Sequence, residues 1–250
     1  MNILLSGING KMGKTIMDVV RNESDVLIVA GVDKNNSQNT YNIPVFESFK
    51  TINHDLHIDC IIDFSVKDAI YEILPFAIEH NISVVLATTG YDEKDNEYIL
   101  NATKSIPILK SGNMSFGLNT MLKIVKLATR LLKSDADIEI IESHHNQKID
   151  APSGTALMIA NIIQDESTDT HLQYGREGII GKRQKNEIGM HSIRGGSVVG
   201  KHEVQFLLNG ESITIKHEAE SKSLFAYGSI KAAKFIQGKK PGLYTMSDLS

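Results

Sequence analysis

The chain has a single cysteine, Cys60, no apolar run of membrane-spanning length, no basic excess, no internal repeat and no low-complexity tract. Each absence removes a class of protein. One thiol excludes an intramolecular disulfide and fits a reduced, intracellular setting. Cys60 itself lies within the run IDCIIDF, away from any candidate base, and is expected to be a small core residue. Lys and Arg number 26 against 30 Asp and Glu, a net charge of −4. That balance lacks the basic face of a nucleic-acid protein. A membrane helix needs about 20 consecutive apolar residues, and none occurs. The opening MNILLSGING lacks the basic start and apolar stretch of a secretory leader. A cytoplasmic protein that meets neither membrane nor nucleic acid is expected.

What is present is enough for a sizeable core: 250 residues, 41% of them hydrophobic. In the first half, apolar runs alternate with segments of helical period. NILLSG, DVLIVAGVD, IDCIIDFS, ISVVLATTG and IPILKSG read as strands, with helices over KMGKTIMDVVRNE, VKDAIYEILPFAIEHN and KDNEYILNATKS. Such alternation predicts parallel β-α-β units with right-handed crossovers. The strands are apolar on nearly every residue, as in a sheet covered on both faces. After Asn113 the rhythm changes. A long amphipathic helix, FGLNTMLKIVKLATRLLK, leads to a strand ending ESHH and a helix over SGTALMIANIIQD. A strand-rich, antiparallel region follows, with Asn209-Gly210 as its clearest hairpin turn. A helix over KSLFAYGSIKAAKFIQG closes the pattern. Residues 166–186 are polar and broken by glycine, and read as a long mobile loop. The fold class is α/β: a Rossmann-type parallel sheet, plus an α+β domain with a mixed or antiparallel sheet.

GINGKMG, residues 7–13, lies between the first strand and the first helix. Backbone N–H groups at a helix start favour a phosphate, and glycines let the backbone approach it. The spacing G-x-x-G-x-x-G departs from the strict dinucleotide fingerprint, but its strand-to-helix context and Asp33, 20 residues past Gly13, support the reading. Asp33 would accept hydrogen bonds from ribose hydroxyls and repel a 2′-phosphate, whereas Lys34 would pair with one. NADH and NADPH both stay open, with a tilt toward NADH. ATTG (Ala87, Thr88, Thr89, Gly90) and SGNM (Ser111, Gly112, Asn113, Met114) end later strands. In an open parallel sheet those ends face the ligand.

The segment ESHHNQKIDAPSGTA, residues 142–156, gathers Glu142, His144, His145 and Lys148 ahead of a helix. Ser153 is a plausible N-cap, and the Gly154 and Thr155 amides would suit a carboxylate. An imidazole, cations and an anion cradle fit a small carboxylate substrate that takes up a proton.

With GINGKMG, ATTG and SGNMSFGLN, this segment resembles the 4-hydroxy-tetrahydrodipicolinate reductase (dihydrodipicolinate reductase) family of the diaminopimelate–lysine pathway, over nearly the whole chain. The resemblance implies a dinucleotide-binding domain of residues 1–114 and 225–250, and a substrate-binding domain of residues 115–224 that builds a homotetramer. It implies cofactor contacts from Gly7, Ile8, Asn9, Gly10, Lys11, Met12 and Gly13, from Asp33 and Lys34, from Ala87, Thr88 and Thr89, and from Ser111, Gly112, Asn113 and Met114. His144 matches the general acid and Lys148 a second proton-donating or orienting cation. His145, Lys148, Gly154 and Thr155 match contacts to a cyclic dicarboxylate, with Ser153 beside them. Ser111-Gly112-Asn113 departs from a common A-P-N, and Lys222 stands where arginine is common.

Other readings remain. Glu142, His144 and His145 are metal-ligand types, but neighbours on a strand face opposite ways, and no metal is expected. A different two-domain dehydrogenase of small carboxylates is one alternative; a semialdehyde enzyme would need a nucleophilic cysteine, and Cys60 is badly placed. A silent nucleotide-binding regulator is another, with no need of His144 or Lys148. His54, His57, His80, His171 and His202 read as ordinary polar residues, His191 and His217 as structural or interfacial.

Overall fold

The computed structural model describes residues 1–35, 41–52, 55–167 and 169–249; His54 and Thr168 of the 166–186 segment lie outside them. The chain forms two compact units, Met1–Phe116 with Lys222–Ser250, and Gly117–Ser221.

The first unit contains β1 (Asn2–Ser6), α1 (Lys11–Val20), β2 (Leu27–Val32), β3 (Val45–Phe46), β4 (Cys60–Asp63), α2 (Ile70–Glu79), β5 (Ser83–Leu86), α3 (Glu93–Ala102) and β6 (Pro107–Lys110). Later in the chain come α6 (Ser223–Ile236) and β12 (Gly242–Tyr244). Seven strands form one sheet in the order β12-β6-β5-β4-β1-β2-β3, with every pairing parallel. Five of these are the strands expected from sequence. β3 and β12 are edge strands of two and three residues, too short to carry a period.

Both faces are covered, as the apolar runs require. Ile3, Leu5, Cys60, Ile62 and Val85 pack with Ile16 and Val19 of α1 and Ala226, Ile230 and Ala233 of α6. Leu4, Ile61, Val84 and Leu86 pack on the opposite face with Ile70, Ile73 and Leu74 of α2 and Ile99 of α3. Cys60 is fully buried, and burial pushes its thiol up to about 12. The strand order reverses direction between β4 and β1, so their carboxyl ends form the crevice where such sheets bind ligands.

The second unit contains most of α4 (Phe116–Leu132), then β7 (Asp137–His144), α5 (Gly154–Glu166), β8 (His171–Tyr174), β9 (Glu187–Arg194), β10 (Gly200–Leu207) and β11 (Ser212–Ala219). Its sheet runs β11-β10-β7-β9-β8. Only part of it is antiparallel: β10 opposes β7 and β11, whereas β9 runs parallel to β7 and β8 parallel to β9. α5 carries the chain back between β7 and β8, and residues 175–186 carry it back between β8 and β9, as parallel connections require. The β10–β11 hairpin turns at Asn209-Gly210 as read, with Gly210 at φ +86°.

The segment 166–186 is not one long loop. His171–Tyr174 forms β8, and Arg176 and Arg183 tie the rest to Glu139 at 2.9 and 3.1 Å. A four-residue edge strand, HLQY, followed by glycine is too short to give a hydrophobic signal.

Gly228 of α6 packs directly on the backbone of Met114, where an added Cβ would fall on the carbonyl oxygen. Gly228→Ala should therefore overpack this contact and lower stability by about 1–3 kcal/mol, read by urea denaturation against wild type.

Candidate functional site

In the first unit, β1 ends at Ser6 and the chain turns through Gly7 at φ +80°, with the Gly7 amide donating to the Val32 carbonyl at 2.8 Å. A Cβ on Gly7 would lie 2.8 Å from the Phe64 carbonyl oxygen. Gly13 is pressed against the carbonyls of Gly7 and Ile8. Gly10 is the N-cap of α1 and offers no side chain; the first intrahelical bond runs from the Lys14 amide to the Gly10 carbonyl. The amides of Lys11, Met12 and Gly13 precede that bond and have no helical acceptor. The cradle is thus bare backbone at a positive helix end, which fits a pyrophosphate and admits no larger residue.

Asp33 follows β2. One carboxylate oxygen accepts the Asn9 amide and the other the Asn35 amide, both at 3.0 Å. A cavity of about 290 Å³ opens beside it, lined by Gly7, Gly10, Asp33 and Lys34 and also by Glu47, Phe64, Ser65, Asp68 and Glu72. A second recess joins Ala87, Thr88 and Thr89 to Phe64, Ser65 and Lys67. Gly112 stands beside Thr89, and the Ser111 amide donates to Leu86 at 3.1 Å.

The expected cofactor residues are not all alike. Ile8 and Met114 have buried side chains, and an added Cβ on Gly31 would strike Ile8. Those two support the loops from below and offer a ligand only backbone. Phe64 and Ser65 line both recesses but were not singled out, although DFS ends an expected strand. Asp63, fully buried, was also missed. It accepts from Ser65 and, at 2.7 Å, from the Thr88 hydroxyl. Burial raises its pKa, and the hydroxyl and amide bonds offset this only in part.

In the second unit, strand alternation builds the site. Ile138 and Ile140 of β7, Ile188 and Met190 of β9, and Val204 and Phe206 of β10 form one buried face with α5. Continuing in steps of two, the same face reaches Glu142 and His144, Ser192 and Arg194, His202 and Gly200. The core therefore passes from apolar to polar at one end of the sheet.

Glu142 is completely buried. One oxygen accepts His144 Nδ1 at 2.6 Å and Arg194 Nη1 at 2.8 Å; the other accepts Arg194 Nη2 at 2.7 Å and the Ser153 amide at 3.2 Å. Burial alone would raise its pKa. The Arg194 guanidinium, with His144 and Ser192, outweighs burial and holds the carboxyl at about 2. An ionised carboxylate only accepts, so Nδ1 of His144 is the donor. His144 Nε2 lies beside Gly200, where a Cβ would stand 3.1 Å away.

Ser153 caps α5, its hydroxyl accepting the Ala156 amide at 3.2 Å, as the sequence led one to expect. The same hydroxyl meets His202 Nε2 at 3.0 Å. The Gly154 and Thr155 amides precede the first helical bond, Leu157 to Ser153, and point out of the helix end. Lys148 pairs with Asp150 at 2.7 Å. β7 ends at His144, and His145 lies in the loop beyond it. His202 is not the ordinary polar residue expected: it is 5% exposed, and its ring centroid is 5.1 Å from that of His144. Burial first, then the charge of His144, pushes it down to about 4. Among the described residues, no group of three or more His, Cys, Asp or Glu is disposed to hold a metal.

Residues 1–114 match the family model described as dihydrodipicolinate reductase, N-terminus, and residues 117–249 the model for its C-terminus. Among curated proteins, the chain is 46% identical over 248 residues to 4-hydroxy-tetrahydrodipicolinate reductase of Clostridium novyi, covering 99% of this chain and 97% of that one. It is 45% identical over 248 residues to the same enzyme of Caldanaerobacter subterraneus, with the same coverages. The fold is similar to that of dipicolinate-bound dihydrodipicolinate reductase from Paenisporosarcina sp. TG-14, with TM-score 0.82, 24% identity and coverage of 98% and 97%.

The depressed pKa of His202 sets a sign for acid stability. Above its ordinary value of 6.5, folded and unfolded states both hold it neutral. As pH falls from 6.5 toward 4, the unfolded chain takes the proton and the folded chain does not. Stability is lost across that window, by at most about 3 kcal/mol for this group. The paired carboxyl of Glu142 weakens the fold only below its ordinary 4.5. Unfolding followed between pH 4.5 and 6.5 should show a shallower decline in His202→Gln than in wild type.

Proposed function

The chain belongs to the dihydrodipicolinate reductase family, and from that premise we propose that it reduces 4-hydroxy-tetrahydrodipicolinate with NADH favoured over NADPH and His144 as general acid. Membership makes the chain an NAD(P)H-dependent oxidoreductase of the lysine–diaminopimelate pathway. The observation that carries the finer reading is the oriented imidazole of His144, next to a helix end with free amides.

When bound, the nicotinamide supplies a hydride; the residues of the chain supply position and a proton. Gly7, Gly10 and the first amides of α1 hold the pyrophosphate, and Asp33 receives the ribose hydroxyls. Asp33, Glu47, Asp68 and Glu72 border the same cavity against one cation, Lys34. That surplus of negative charge disfavours a ribose 2′-phosphate, which is why NADH is favoured.

The substrate is a cyclic dicarboxylate that loses its hydroxyl as water and gains a hydride, so one proton is consumed. The amides of Gly154 and Thr155 receive a carboxylate, as a helix N-terminus does. Lys148, released from Asp150, adds charge to the same end, and His145 borders it. His144 gives up its Nε2 proton to the electron-rich ring, while Nδ1–H stays on Glu142. Histidine suits this near neutrality. The assembly we propose is a homotetramer built by the second unit, whose Ile193 and Leu207 are exposed on the face opposite Ile140.

Substrate made freshly by the preceding synthase should drive oxidation of NADH faster than of NADPH at equal concentration; no oxidation of either would overturn the substrate assignment. His144→Gln should lower kcat by about 10²–10⁴ with cofactor affinity near wild type. Asp33→Ala should shift the NADH/NADPH affinity ratio by roughly 10-fold toward NADPH, the worth of a lost charged hydrogen bond.

A further inference from the structure

Glu142 is the most completely enclosed charge in the second unit's site. Four donors lie within 3.2 Å of its two oxygens: two from Arg194, one from His144 and one from the backbone of Ser153. A carboxylate has about four lone-pair sites. None is left for a substrate, so Glu142 cannot bind one. Nor can it serve as the acid, because the bidentate guanidinium keeps it ionised. What it does hold is the imidazole. The short contact to Nδ1 fixes the ring plane and leaves Nε2 as the only nitrogen that releases or regains a proton. Nε2 faces Gly200, where an added Cβ would stand 3.1 Å away.

We infer that Glu142, itself clamped by Arg194, is a positioning residue that fixes the tautomer of His144 and stabilises its protonated form. The inference rests on His144 acting as the proton donor. In the transfer, the Nε2–H bond breaks, the new C–H bond forms on the substrate ring, and the electron pair left on Nε2 makes the imidazole neutral. Nδ1–H remains on Glu142 throughout, and solvent reprotonates Nε2. Arg194 extends the clamp: its second Nη nitrogen also donates to the Asp150 carbonyl at 2.7 Å, so the loop that carries Lys148 is tied to the same carboxylate. The other groups facing His144 are His202 and, beyond it, His217 on the neighbouring strands, with His145, Lys148 and Asp150 in the loop. His202 is buried and His217 half-buried, and neither carries a compensating negative charge. Glu142 is the anion in contact with the ring.

The test compares kcat/KM against pH for wild type, Glu142→Gln and His144→Gln on the synthase product, with circular dichroism and urea unfolding of each variant as the check that both units are folded. Glu142→Gln keeps the shape but removes the charge. Turnover should fall at least about 10-fold, as when the orienting carboxylate of a catalytic histidine is neutralised. The basic limb, where His144 loses its proton, should move down by about 1 pH unit or more. A merely structural residue would lower activity without moving that limb. If Glu142→Gln fails to fold, Glu142→Asp replaces it: the charge is kept and the reach shortened, so turnover should fall with a smaller movement of the limb. Wild-type turnover, or an unmoved limb, in the variant that folds overturns the inference. An active His144→Gln overturns the general-acid reading instead, so the two failures are distinguishable.

Discussion

Everything in the second unit's site depends on a carboxylate with no water around it. Removing an ion of this size from water costs several kcal/mol even after the protein relaxes, so Glu142 stands only where cations and amides converge. That requirement organises the rest. Arg194 must come from β9, which therefore has to run parallel to β7 with His144 opposite Arg194. Ser153 must end its loop where its amide reaches the same oxygen, and this sets where α5 begins. His202 completes the arrangement by staying neutral. It sits in register with Glu142 on β10 but bonds to Ser153 instead, so His144 is the imidazole in contact with the anion.

Asp63 in the first unit shows what the guanidinium changes. Both carboxyls are fully buried at the ends of strands. Asp63 has only hydroxyls and an amide as donors, and its pKa is raised; Glu142 has Arg194, and its pKa is held at about 2. Burial is the largest cause at each, and the presence of a cation decides the sign. The two groups accordingly suit different work. Asp63 ties the loops after β4 and β5 through Ser65 and Thr88, without presenting a fixed charge partner. Glu142 is held as an anion and orients a neighbouring imidazole.

How much of this was legible in the sequence follows from how local each feature is. The glycine loop, the five longer strands of the parallel sheet, the cap at Ser153 and the turn at Asn209-Gly210 are encoded within a few residues. Periodicity and turn chemistry reach that far. The Glu142–Arg194 pair spans 52 residues and Ser153–His202 spans 49, and no window of sequence connects them. Taken singly, His202 is a polar residue in a strand and Arg194 a charge before a Gly-Gly turn. Register makes them partners, and register depends on β9 being parallel, which the strand-rich sequence concealed. An alternation count would have helped: Gly200, His202, Val204 and Phe206 share a face, so His202 continues a core row. The fully buried Ile8 marks the opposite error, in which a motif position was read as a contact while its side chain serves the core.

β7 carries a buried acid on each face. On the face turned from α5, Glu139 takes Arg176, Arg183 and His191 and so fixes the segment after β8. On the other, Glu142 takes Arg194 and His144. The cross-strand partners of both acids come from β9 and the segment before it. The two acids differ in what they gather. Glu139 collects two arginines and a histidine. Glu142 collects one arginine and orients a ring whose second nitrogen faces Gly200. Similar burial and similar acidity thus accompany an ordered segment on one face and an oriented imidazole on the other, the ring proposed to donate a proton, because the role of each acid follows from the partners it holds and not from the buried charge itself.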